Sequence, residues 1–175
     1  MIFDYLVAAC YFHHVRISAK LSLLSSLKSM LFATFTSSSV RHFDETQITV
    51  LNALLRLFIS HSQYDQAASL LVRTRPNIKE ENVSSGQMAR YWYYEGVIEL
   101  FHLHYSNASI QLQRALRKVP STLSGASAQW FRRECSVMNT LALLLQGEVP
   151  TQILNVSSTK PYRDLAIVLI FITNF

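Results

Sequence analysis

"YYEGVIELFHLHYSNASIQLQRALRKVP", residues 93–120, sets one glycine inside an aromatic helical pattern, two spaced alanines beyond it, and a proline at the end. A glycine in mid-helix costs about 1 kcal/mol against alanine, so close packing has to offset it. Bulky Trp92 lies one turn before Gly96 on a first helix. Ala108, Leu112 and Ala115 then share one face of a second helix, which stops at Pro120. Two antiparallel helices approach closely only where no large side chain intervenes. Gly96 and Ala108 supply that gap, and Ala115 lets a following pair stack.

This order of bulky, small, small, bulky, small and proline positions matches the tetratricopeptide (TPR) repeat, whose period is about 34 residues. Two positions miss, because Glu95 and Glu99 stand where the pattern wants leucine and tyrosine. The preceding pair fits more loosely, with Leu51, Leu54 and Phe58 on its first helix and Ala67 and Leu71 on its second. Ala67 and Ala108 are 41 residues apart, and the extra length is assigned to the loop around 82–88. Such pairs cannot bury their apolar faces alone and stack into a solenoid with extended binding surfaces. An ordinary helical bundle would also carry these residues, and spacing alone leaves that open.

Outward from these pairs, residues 1–39 read as two helices, the second serine-rich and breaking at "SSSVRHFD". Asp44 with Gln47 has the form of a capping box. The helix it opens carries Leu51, Leu54, Leu55 and Phe58 at helical spacing. "HSQ" interrupts, and a short helix follows through Leu71. The segment 75–87 is a polar connection, and helices follow at about 88–105 and 107–119. "AQWFRRECSVMNTLALLLQ" is a further helix ended by Gly147. The last, strongly apolar element spans about 161–173. No stretch sustains period-two alternation, so the expected class is all-α. The domains are a helical region at 1–43, TPR-like repeats at 44–160 and an apolar helix at 161–175.

The totals suit this reading. Half of the 175 residues are hydrophobic and only 15% are charged, below the usual ~25%, which suggests surface covered by a partner. Four glycines and four prolines disfavour a turn-rich β fold. The net charge of +5 is scattered, with no basic run interleaved with aromatics, so nucleic acid is not an expected partner. The start "MIFDYLVAAC" lacks a basic region and makes a poor secretory signal. The longest apolar run, "LAIVLIFI" at 165–172, is short of the ~20 residues of a membrane span. Two distant cysteines, Cys10 and Cys135, fit buried thiols in a reducing compartment, and the expected location is cytoplasm and nucleus.

Candidate chemistry is sparse. His13–His14 and His102/His104 lack the i, i+4 spacing of a helical metal site, and no cofactor is expected. Arg133 could lower the Cys135 thiol pKa, but no histidine base lies near it in sequence. Glu95 and Glu99 form a like-charge pair, expected to face a basic neighbour or solvent. The aromatic cluster "YWYY" at 91–94 points all round its helix, and Tyr91 and Tyr93 are its candidate partner surface.

"LLRLFISHSQYDQAASLLV" (54–72), "ARYWYYEGVIELFHLHYSNA" (89–108), "ALRKVP" (115–120) and "LLLQGEVP" (143–150) resemble, in order, segments of one family. It is the family of non-ATPase regulatory subunit 3 of the 26S proteasome lid. "YFHHVR" (11–16) and "VRHFDETQ" (40–47) extend the likeness to one side, and "TKPYRDLAIVLIF" (159–171) extends it to the other. The resemblance implies a helical-repeat scaffold that continues into a winged helix, together a PCI domain. This chain reads as a short form ending before that module. It implies no enzyme, but a non-catalytic subunit that holds other lid subunits, without small-molecule, membrane or nucleic-acid partners. The family usually places basic residues just after the glycine, where this chain has Val97 and Glu99. The alternatives are a PCI- or TPR-type scaffold of a signalosome or translation-initiation complex, or a truncated copy that does not assemble. A helical enzyme or nucleic-acid binder is the reading from another class.

Overall fold

The computed structural model describes residues 2–20, 24–119 and 125–148. Pro120 and the helix expected at 161–175 lie outside the described residues. Among the described residues there are seven α-helices: α1 (Ile2–Lys20), α2 (Lys28–Val40), α3 (Asp44–Ser60), α4 (Tyr64–Thr74), α5 (Ser85–Phe101), α6 (Tyr105–Lys118) and α7 (Ala126–Leu145). Short 3₁₀ turns at Leu24–Leu27, Arg75–Asn77 and Glu80–Asn82 complete the set, with no strand. The fold is all-α, as its periodicity implies. The chain divides into two compact units inside α5, Met1–Tyr94 and Glu95 onward.

The first unit is built around α3. Helices α1, α2 and α4 all pack on it, so it is buried far beyond one stripe. Leu51, Leu54, Leu55 and Phe58 line its core side, and Thr46, Gln47, Thr49 and Asn52 are buried as well. Each buried leucine contributes roughly 2 kcal/mol, while every buried polar group needs a partner. Thr49 Oγ1 donates to the Glu45 carbonyl at 2.8 Å, and Asn52 Nδ2 donates to Gln87 O at 2.9 Å and Gln87 Oε1 at 3.1 Å.

The capping box expected at Asp44 and Gln47 is not formed. Phe43 holds the cap position with no side-chain bond, and Asp44 is already helical. The open N–H groups of α3 are met by α1 instead. Asp4 Oδ2 accepts from Glu45 N at 3.0 Å, and Asp4 Oδ1 accepts from Thr46 N at 3.0 Å and Thr46 Oγ1 at 2.6 Å. Asp44 accepts from Asn82 Nδ2 at 2.7 Å. Glu45 repeats the device one helix on, its two oxygens accepting from Ser84 N and Ser84 Oγ, each at 2.6 Å, where α5 begins. Both carboxylates also sit at the positive pole of a helix dipole.

Three connections share one geometry. His42, Ser62 and Leu103 are left-handed, at φ 55°, 56° and 65°. Each is followed by a cap residue of nearly constant conformation: Phe43 (φ −89°, ψ 79°), Gln63 (φ −93°, ψ 58°) and His104 (φ −88°, ψ 63°). The bonds are those of a Schellman turn. Ser62 N donates to Ile59 O and Gln63 N to Phe58 O, just as Leu103 N donates to Leu100 O and His104 N to Glu99 O. Gly147, at φ 84°, closes α7 the same way. The first three turns therefore form without glycine, although a left-handed residue with a side chain costs about 1 kcal/mol.

These turns move several boundaries. Helix α5 runs 85–101 rather than 88–105 because the turn at 102–104 cuts it, and α6 starts at Tyr105. Helix α2 continues through Ser37–Ser39, where a break was expected. Its hydroxyls bond back to earlier carbonyls, Thr36 to Phe32 O and Ser38 to Phe35 O, and so do not compete with the helix. The residues between α4 and α5 occupy 75–84 and include two of the 3₁₀ turns.

In the second unit α6 packs on α7, with Ser109 Oγ donating to Asn139 Oδ1 at 2.9 Å. Ile98, Ala108, Leu112, Ala115, Cys135, Ala142 and Leu144 are buried there.

Replacing Asp4 by alanine removes three acceptor bonds from the start of α3. The Asp4→Ala chain is expected to lose about 2 kcal/mol of unfolding free energy in a urea titration, and Asp4→Asn less. An unchanged midpoint for Asp4→Ala would show that α3 does not depend on this cap.

Candidate protein-interaction site

Gly96, Ala108, Leu112 and Ala115 are brought together in the second unit, all buried. A Cβ on Gly96 would lie 2.7 Å from Leu112 Cγ, 3.1 Å from Leu112 Cδ2 and 3.2 Å from the Ala108 carbonyl oxygen. Helix α5 and helix α6 thus meet backbone against side chain, with no room for a methyl group. Trp92 is buried in the first unit. At the same register of the earlier pair stand Leu51, Leu55, Ala67, Leu71 and Thr74, all buried. Leu55 occupies the place of Gly96 in that earlier pair.

The aromatic cluster is placed differently from expectation. Tyr91 is only 3% exposed and offers no surface to a partner. Tyr93 is half-buried, its ring 5.4 Å from that of Tyr94 in an edge-on arrangement. Burial holds the Tyr94 phenol above its ordinary pKa, with Arg56 and Arg90 pulling the other way.

Glu95 and Glu99 do not act as an exposed pair. Glu95 is buried and accepts from Gln111 Nε2 at 3.5 Å, while Glu99 Oε2 lies 2.9 Å from His104 Nδ1. Cys10 is exposed, against the expectation of two buried thiols, and Cys135 is buried. Burial, with Glu134 adding to it, pushes the Cys135 thiol up to about 12, the opposite of an activated nucleophile. Among the described residues no three His, Cys, Asp or Glu side chains converge as metal ligands, and no helix is long and apolar enough to cross a membrane.

Sequence reading by charge runs misses which charged residues of separate helices act on one another. Arg16 on α1 acts on Arg90 of α5, and Arg56 on α3 acts on Tyr94 of α5, within the first unit. Burial lowers the Arg90 pKa, Tyr94 and Glu45 oppose the shift, and Arg16 adds to it. The Arg90 guanidinium lies 4.7 Å over the Phe12 ring.

Comparison with known proteins fits this architecture. Residues 2–162 match the family described as PSMD3-like, N-terminal TPR repeats. The chain is 35% identical over 147 residues to the probable 26S proteasome non-ATPase regulatory subunit 3 of Anopheles stephensi, covering 84% of this chain and 28% of that protein. It is 35% identical over 127 residues to 26S proteasome non-ATPase regulatory subunit 3 of Dictyostelium discoideum, covering 73% and 24%. Homolog A of the same subunit in Arabidopsis thaliana is 31% identical over 167 residues, covering 93% and 33%. The chain thus spans about a quarter to a third of the length of these relatives.

Two measurements follow from the site. Gly96→Ala gains helix propensity of about 1 kcal/mol but overpacks the buried Leu112, at a cost of roughly 1–3 kcal/mol. The net expectation is destabilisation, relieved in part when Leu112→Ala is added, read as a favourable coupling in a double-mutant cycle. For Cys135, the folded-state value of about 12 stands above the ordinary 9.0. Its contribution to stability is therefore complete below pH 9 and lost as pH rises toward 12. Urea titrations at pH 8 and pH 11 should show this loss in the parent chain and a smaller one in Cys135→Ala, while at pH 8 a thiol reagent labels Cys10 and spares Cys135.

Proposed function

This chain belongs to the PSMD3-like family of N-terminal TPR repeats, and from that premise we propose that it is a non-catalytic scaffold of the proteasome regulatory particle lid. It holds neighbouring subunits by protein contacts and so supports degradation of ubiquitylated proteins, in the cytoplasm and nucleus. One observation carries the reading: the likeness covers most of the chain, and the relatives it matches are named as proteasome regulatory subunits.

Physical support comes from how the small residues are used. Gly96, Ala108 and Ala115 serve helix packing, and the groups with reactive potential are committed to structure. Cys135 is held as a neutral thiol, Glu95 is buried against Gln111, and Glu99 pairs with His104. The repeat builds a frame whose outward residues are available for recognition.

The test is assembly. A tagged chain expressed in cells and separated on a glycerol gradient is expected to sediment with other lid subunits, identified by mass spectrometry. Recovery of the tag only in the light fractions, as a lone chain, would overturn the assignment. Co-purification with a different PCI-type complex would replace the proteasome by that assembly.

A further inference from the structure

Helices α1 and α2 both pack on α3, and a groove lies between them. From α1 it takes Phe3, Val7 and Tyr11, at i, i+4 and i+8. From α2 it takes Met30, Ala33, Ser37 and Arg41, at i, i+3, i+7 and i+11. Each wall is therefore one continuous helix face. Phe43 and Thr46 line the groove where α3 begins, and its volume is about 360 Å³. At 1.5 Å of rise per residue the walls run for about 12–16 Å, or two to three helical turns.

Most of its hydroxyls are already committed. Thr34 Oγ1 donates to Met30 O at 2.9 Å and lies 3.3 Å from the Tyr11 hydroxyl. Ser38 Oγ donates to Phe35 O, and Thr46 Oγ1 to Asp4 Oδ1. The surface left over is largely apolar. Val7, Tyr11, Met30 and Phe43 are half-buried, and Phe3 is 67% exposed, its ring 6.1 Å from that of Phe43. Arg41 is the one charged residue that lines the groove. It is exposed, and among the described residues its guanidinium has no hydrogen-bond or ion-pair partner. Its backbone is fixed by the turn at His42, with Arg41 N donating to Ser37 O at 3.2 Å and Phe43 N to Ser38 O at 3.0 Å.

We propose that the groove between α1 and α2 receives an amphipathic helix of a partner protein, its apolar stripe on Val7, Tyr11 and Met30 and a carboxylate at one end paired with Arg41. The backbone groups of both walls are bonded inside their own helices. A docked segment must therefore satisfy its own backbone, which a helix does. Apolar anchors at i, i+4 and i+7 match the length of the walls. Charge complementarity sets the remaining residue. A glutamate or aspartate one turn beyond the last anchor meets the guanidinium, whereas a cation there would repel it at the rim of an apolar contact.

This proposal rests on the reading of the chain as an interaction scaffold and supplies the chemistry of one partner contact. Its test needs no other subunit, so its failure and a failure of lid assembly are distinct results. The full chain is titrated into a fluorescein-labelled helical peptide of alanine and glutamine that carries leucines at i, i+4 and i+7 and a glutamate at i+11. Anisotropy is expected to show saturable binding with a Kd below about 1 mM. Replacing the peptide's leucines by alanine should abolish it, and replacing its glutamate by lysine should weaken it about fivefold. Ala33→Trp, which fills the groove from an exposed position, should weaken binding at least about tenfold. Arg41→Glu should reverse the preference, so that the lysine peptide binds more tightly than the glutamate peptide. Circular dichroism checks that both variants keep the parent helicity. No saturable binding of the glutamate peptide, equal affinity for the glutamate and lysine peptides, or an Ala33→Trp chain that binds like the parent would each overturn the site. Self-association that Ala33→Trp abolishes, without peptide binding, would assign the groove to a second copy of this chain instead.

Discussion

A helix buried on most sides cannot leave its first N–H groups to water, and α3 is such a helix. The acceptor it uses is Asp4, more than forty residues earlier in the chain. That contact fixes where α1 lies against α3. Glu45, one residue into α3, then turns outward to Ser84 and fixes where α5 starts. Two carboxylates thus set the relative register of three helices in the first unit. The direction of these bonds, with acid at the N-terminus and dipole aligned, makes each stronger than a neutral hydrogen bond.

The second constraint is local and repeated. A Schellman turn with a left-handed residue, followed by a cap near φ −90°, connects α2 to α3, α3 to α4, and α5 to α6. Because the turn is constant, the distance between paired helices is set by the side chains that face each other across it. In the first pair Leu55 and Ala67 hold the corresponding positions, both buried. In the second pair Gly96 gives way, and Leu112 fills the space a Cβ would need. The same turn therefore serves a pair with leucine and a pair with glycine at the facing position.

What the sequence made legible follows from which signals are local. The pairing of Gly96 with Ala108 and Leu112 was readable because small residues at fixed intervals in adjacent helices have few other uses. The apolar line of α3 was readable for the same reason. The turns at His42, Ser62 and Leu103 were only partly readable, since a left-handed residue is expected to be glycine and none of these is. Asp44 resembled a cap and is not one, because a nearer competitor for the same N–H groups, Asp4, is invisible without the tertiary contact. Tyr91 was expected at a partner surface because four successive aromatics cannot all face inward on one helix. The structure buries Tyr91 and Trp92 and leaves Tyr93 half-buried. The influence of Arg16 on Arg90 had no local signature, because the two sit on different helices.

These two failures of local reading have one physical origin. In the first unit Asp4, Asp44 and Glu45 accept from backbone N–H groups, a threonine, an asparagine and a serine. Acids committed to neutral donors at helix starts are withdrawn from pairing with arginine. The chain has 11 acids against 16 lysines and arginines, so each acid used in this way enlarges a basic surplus that sequence totals show only as an average. In the first unit the acid that acts on Arg90 is itself one of the caps. Helix capping and the weak compensation of Arg90 are thus two consequences of the same allocation of carboxylates.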